Sequence, residues 1–79
     1  MRLPRELYGR ELARHLCANW AYRQVNQVGS HIILQTEEPC HHRISVPDHD
    51  VLRIGTLNNI LRAVADHKGV TREDVLDTL

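Results

Sequence analysis

Two segments decide the reading of this chain: Gly29-Ser30-His31-Ile32-Ile33-Leu34-Gln35-Thr36 and, after a break at 37–41, His42-Arg43-Ile44-Ser45-Val46-Pro47. The run Ser30 to Thr36 carries Ile32, Ile33 and Leu34 and follows a glycine, which predicts a strand entered from a turn. Residues 37–41 contain Pro39 and read as a second turn. From His42 to Val46 the pattern alternates, with Ile44 and Val46 on one face and Arg43 and Ser45 on the other, and Pro47 ends the strand because it cannot donate to a ladder. Folding the two segments into a hairpin centred near Pro39 sets Ile32 opposite Val46 and Leu34 opposite Ile44. Both apolar pairs then share one face, as a half-buried hairpin requires. His31, Ile33 and Gln35 fall on the other face beside Arg43 and Ser45. His31 stands opposite Pro47, so His49, two residues beyond, comes to the same end of the hairpin.

Upstream, Gly9 to Asn19 has helical spacing, with Leu12 and Leu16 one turn apart, Ala13 and Cys17 beside them, and Arg10, Glu11 and Arg14 on the wet side. Pro4 disfavours helix at Leu3, so Leu3-Pro4-Arg5 is expected to be extended. Tyr22 to Asn26 is a weak strand candidate whose apolar signal is Tyr22 and Val25, with Tyr22 expected to pack at the sheet edge. Downstream, Thr56 is the expected N-cap of a second helix with Leu57, Ile60, Leu61, Val64 and Ala65 as its buried stripe. Lys68-Gly69 supplies a cation and then a residue tolerant of positive φ, a helix stop. Thr71 followed by Asp74 imitates a capping box before the short tail Val75, Leu76 and Leu79. The sum is an α+β chain in the order α-β-β-β-α with a short C-terminal helix: a three-stranded antiparallel sheet, helices on one face, the other face open.

Length and composition narrow the function classes. Seventy-nine residues make one domain spanning 1–79 with a thin core. Phenylalanine is absent, so the core must be built from Leu, Ile, Val and Ala. Cys17 and Cys40 show no spacing of a disulfide framework and read as free thiols in a reducing compartment. No run of apolar residues reaches membrane-spanning length, and Met1 to Arg5 lacks an apolar signal core, so no membrane and a cytoplasmic location are expected. Formal net charge is zero, with nine of the ten cations arginine, the residue suited to bidentate phosphate contacts. Cys40-His41-His42 does not read as a zinc site, because adjacent ligands rarely reach one tetrahedral ion and no partner set follows. No metal and no cofactor are expected.

His31 and His49 at one hairpin end, with arginines near, suit RNA cleavage. One imidazole takes the 2′-hydroxyl proton, another group protonates the leaving 5′-oxygen, and an arginine stabilises the charge that develops on phosphorus. Each histidine also has an ordinary reading as a half-exposed strand or turn residue; His15 and His67 read as helix-surface side chains, His41 and His42 as turn residues.

Gly9-Arg10-Glu11-Leu12, Ala21-Tyr22, Val28-Gly29-Ser30-His31, Val46-Pro47-Asp48-His49, Gly55-Thr56-Leu57 and Ile60-Leu61-Arg62 occur in this order, and as an ordered set they resemble the HicA, or YcfA-like, family, over nearly the whole chain. The resemblance implies a double-stranded-RNA-binding-domain-like fold. It also implies the toxin of a type II toxin–antitoxin system, a metal-independent endoribonuclease acting on mRNA, and a HicB-like antitoxin as protein partner. The histidine of the family's Gly-Ser-His motif is catalytic and maps onto His31; Gly29 and Ser30 map onto the turn that positions it, and His49 onto a supporting position. Arg23, Arg43 and Arg53 are candidate RNA-binding residues. Where family members often carry an arginine shortly before Gly-Ser-His, this chain has Asn26-Gln27. The alternatives are a non-catalytic RNA-binding module or a protein-interaction module on the same fold.

Overall fold

In the computed structural model, which describes residues 6–48 and 51–79, the hairpin forms in the expected register. Strand β2 (His31–Thr36) pairs antiparallel with β3 (His42–Pro47), matching Ile32 with Val46, Leu34 with Ile44 and His31 with Pro47. Ile32, Leu34 and Val46 are buried on one face, while His31 and Arg43 are exposed on the other. Strand β1 (Arg23–Val28) completes the sheet in the order β1-β2-β3. This strand lies later than the Tyr22–Asn26 expected from its composition. Val28 pairs with His31, which leaves Gly29 and Ser30 as a tight turn, with Gly29 at φ +58°; that closure extends β1 to Val28. The register shifts between Gln24 and Asn26, and this bulge returns Asn26 and Val28 to the open face beside Ile33 and His31.

Helix α1 (Gly9–Asn19) matches its expected bounds and buries Leu12, Ala13 and Leu16. Its first residue lies hard against the end of β3: a Cβ built on Gly9 would stand 1.5 Å from the Pro47 carbonyl oxygen. Only a residue without a side chain permits that approach. Helix α2 (Ile54–Lys68) buries Leu57, Ile60, Leu61, Val64 and Ala65, the expected stripe. It starts earlier than Thr56. Arg53 is the N-cap, without a side-chain bond, and its carbonyl accepts the Leu57 amide at 2.8 Å. Leu52 is buried immediately before, so the chain is already committed to the core and the helix begins as soon as Leu52 is placed. Gly69 closes α2 at φ +70°, and α3 (Arg72–Leu76) opens on the Thr71–Asp74 capping box, with both reciprocal bonds present. The expected extended Leu3-Pro4-Arg5 lies outside the described residues.

Among the described residues the core joins these faces through fifteen buried apolar side chains, with Tyr22 the one aromatic of that set. Tyr22 is packed, as expected, and its hydroxyl meets His42 Nδ1 at 3.0 Å. His42 stacks on His67 with ring centroids 4.2 Å apart, and His67 Nε2 lies 2.9 Å from the Cys40 carbonyl oxygen. Lys68 donates to the Glu38 carbonyl and Thr36 Oγ1 and lies over the Tyr22 ring. Thus His67, read from sequence as a helix-surface residue, ties α2 to the β2–β3 turn. His15 is likewise engaged, its Nε2 2.6 Å from Thr78 Oγ1.

Burial, then the nearby His67, Lys68 and His41, push the His42 pKa down; burial pushes His15 down. Both groups bind fewer protons folded than unfolded. Their stabilisation is therefore present above the unfolded value of about 6.5 and is lost as pH falls through it. The depressed carboxylates Glu37, Glu73 and Asp74 lose theirs only below about pH 4.5. The melting temperature is expected to fall between pH 7 and pH 5, and His42→Gln to flatten that fall. A pH-independent melt across this window would contradict the assignment.

Candidate active site

His31 opens β2 directly after the Gly29-Ser30 turn, and three features fix its backbone. On one side the ladder holds it to Val28; on the other it pairs with Pro47. Beyond the ladder, the Asp48 amide donates to the Ser30 carbonyl at 2.7 Å. Gln27 Nε2 donates to Asp48 Oδ2 at 3.0 Å, bracing the turn from β1 to the segment after β3. Gly29 supplies the left-handed φ that this turn needs.

The side chain is presented outward. His31 is exposed, and among the described residues its ring makes no hydrogen bond. Its cross-strand neighbours on the open face are Val28, 59% exposed, and Pro47. An imidazole held by backbone alone, with both ring nitrogens unengaged, can accept a proton through one of them. Val28 and Pro47 set an apolar surface beside it.

The structure does not bring the candidate arginines to His31. Arg23 and Arg43 flank Gln35, four residues along β2, or ~13 Å at the rise of a strand. There Arg43 donates to Gln35 Oε1, Gln35 to Glu37, and Glu37 meets His41. Arg53 is exposed at the N-cap of α2, off the sheet face. His49 lies outside the described residues. Asp48 and Gln27 are the supporting residues that pattern reading missed. Asp48 sat inside a recognised motif, but nothing in its spacing announced a bond to a glutamine on another strand.

Cys40, His41 and His42 diverge, His41 toward Glu37 and His42 toward Tyr22 and His67. Among the described residues no group of three His, Cys, Asp or Glu side chains is placed to share an ion. No helix among them is long and apolar enough to cross a membrane.

The family model described as the HicA toxin of bacterial toxin–antitoxin matches residues 9–65, which runs from the glycine against Pro47 to the last buried residue of α2. Neither a curated relative nor a solved structure matched the chain.

Proposed function

From the premise that this chain belongs to the HicA toxin family of toxin–antitoxin systems, we propose that it is a metal-independent endoribonuclease acting on mRNA, with His31 as its catalytic residue. The observation that carries this reading is the unencumbered His31 ring, held by a braced turn at the rim of an open sheet face.

In the proposed reaction His31 takes the proton of an RNA 2′-hydroxyl. The 2′-oxygen attacks the adjacent phosphorus, the bond to the 5′-oxygen breaks, and that oxygen leaves with a proton from solvent, while the proton on His31 is released to water and restores the base. The products are a 2′,3′-cyclic phosphate and a 5′-hydroxyl end. Gly29 and Ser30 set the ring's position, and the proximity of a fixed base to the hydroxyl supplies much of the effect. Family membership implies an antitoxin partner; we assign that role to a HicB-like protein that covers the His31 face and thereby blocks the substrate.

The test is cleavage of a labelled single-stranded RNA by the purified chain in excess EDTA, with His31→Ala in parallel. Cleavage by the wild type alone, ending in cyclic phosphate, is the expected result. Activity lost in EDTA and restored by one divalent ion would overturn the metal-independent mechanism. Equal activity in both proteins would remove His31 from it.

A further inference from the structure

Neutral net charge conceals a strong asymmetry. Residues 1–35 hold five arginines against Glu6 and Glu11, whereas residues 36–79 hold five cations against eight carboxylates. In the fold two of those five arginines, Arg10 and Arg14, line one cleft. A cleft of about 330 Å³ lies between α1 and the sheet, lined by Arg10, Ala13, Arg14 and Cys17 from the helix and by Gln24 and Ile32 from the strands. Its floor is apolar, since Ala13 and Ile32 are buried. Its polar lining residues, Arg10, Arg14 and Gln24, are exposed.

No carboxylate lines this cleft. Glu11, the acid nearest in sequence to both arginines, is turned back to accept the Tyr8 amide at 3.1 Å. Among the described residues neither arginine forms an ion pair; Arg10 lies over the Tyr8 ring, 5.4 Å from its centroid. Burial raises the Cys17 pKa, so the thiol stays neutral. Two permanent cations one helical turn apart, an amide and no competing anion make a site for a group with several acceptor oxygens and a negative charge.

One strand, β1, separates the cleft from the His31 face. Gln24 pairs with Leu34 and so points to the helix side, whereas Val28 pairs with His31 on the open side, both from β1. Because β1 is an edge strand, a chain folded over that edge runs from the face that carries His31 to the face that carries the arginines. An extended polyanion folded over that edge engages both places at once. We propose that the Arg10–Arg14–Gln24 cleft is a phosphodiester subsite, holding a phosphate of the single-stranded RNA whose scissile bond lies at His31. This rests on the ribonuclease reading above and names where the rest of the strand goes.

The experiment measures binding of a short fluorescent single-stranded RNA to the His31→Ala chain, which does not consume it, across a salt series. Each phosphate contact contributes about 0.7 to the slope of log affinity against log salt for a single strand. Arg10→Gln with Arg14→Gln is expected to reduce the slope by about 0.7 and to weaken binding roughly tenfold at low salt. Arg10→Lys with Arg14→Lys should retain most of the slope, and Arg62→Gln on α2 should leave it unchanged. Inorganic phosphate, titrated alone, should compete only weakly, because it engages the cleft without the strand. RNA binding with an unaltered slope in the double glutamine variant overturns the subsite while leaving the ribonuclease reading intact. Loss of antitoxin binding with that slope unaltered assigns the cleft to the protein partner and likewise overturns it. Absence of any RNA binding by the folded chain overturns both readings.

Discussion

Replacing His31 by alanine is expected to lower RNA cleavage by about a hundredfold to ten-thousandfold, the range that positioned proton transfer contributes. Stability should stay within about 0.5 kcal/mol of the wild type, as for other surface substitutions. The two halves of this expectation have separate physical grounds. The ring is exposed and makes no hydrogen bond among the described residues, so its removal opens no cavity and orphans no partner. What holds position 31 in place is backbone: the pairings to Val28 and Pro47 and the neighbouring Asp48 to Ser30 bond. A substitution that deletes the imidazole leaves all of these intact. Parallel measurements of cleavage rate and thermal melting decide the matter. A large rate loss with an unchanged melt is the expected pair, and an unchanged rate in a folded variant would refute the role. His31→Gln should behave like alanine, because an amide can hydrogen-bond but cannot accept the proton.

Gly9→Ala should have the opposite signature, a large loss of stability. An added methyl would stand 1.5 Å from the Pro47 carbonyl oxygen and 2.6 Å from its carbon. Those atoms belong to backbone at the strand end that pairs with His31, so no side chain can swing aside. Helix α1 must lift from β3 or the strand end must move. Overpacking of a core usually costs 1–3 kcal/mol, and an unyielding backbone contact belongs at the upper end, about 3 kcal/mol. For a chain of this size that corresponds to a fall in melting temperature of about 12–24 °C. Thermal and denaturant unfolding measure it directly. A loss below about 1 kcal/mol would show that α1 is not pressed against Pro47. Because Pro47 is the cross-strand neighbour of His31, cleavage should also fall under conditions where the variant remains folded.

The contrast between these two positions shows what the sequence discloses. The β2–β3 register followed from the positions of Ile32, Leu34, Ile44 and Val46, since period-two patterning with one buried face tolerates no slip. The α2 stripe and the Thr71–Asp74 box followed from equally local rules. Strand β1 was harder to bound. Five of its six residues are exposed, and its bulge interrupts whatever alternation the remainder would have shown. The start of α2 was missed because Thr56 is a good local cap, while the placement of Leu52 against the core, a tertiary fact, set the boundary at Arg53. Gly9 lies in a recognised motif, yet its reason is an approach to a residue 38 positions away. The same holds for Gln27 with Asp48 and for His42 with His67: each pair is brought together only by the completed sheet and its helices.

Trp20 is the sole tryptophan of the chain. It sits half-buried against the core, just after α1, with its indole Nε1 donating to Thr78 Oγ1 at 3.0 Å. Thr78 follows α3, beyond the residues matched by the family model, and is held further by His15. The protein therefore carries a fluorophore addressed to its C-terminal tail. When the tail undocks, the indole loses its Thr78 partner, and its emission changes while the sheet is still folded. Far-ultraviolet circular dichroism follows the helices and strands as a whole. Recorded together during unfolding, the two signals separate release of the tail from collapse of the body, and no label has to be introduced to see it.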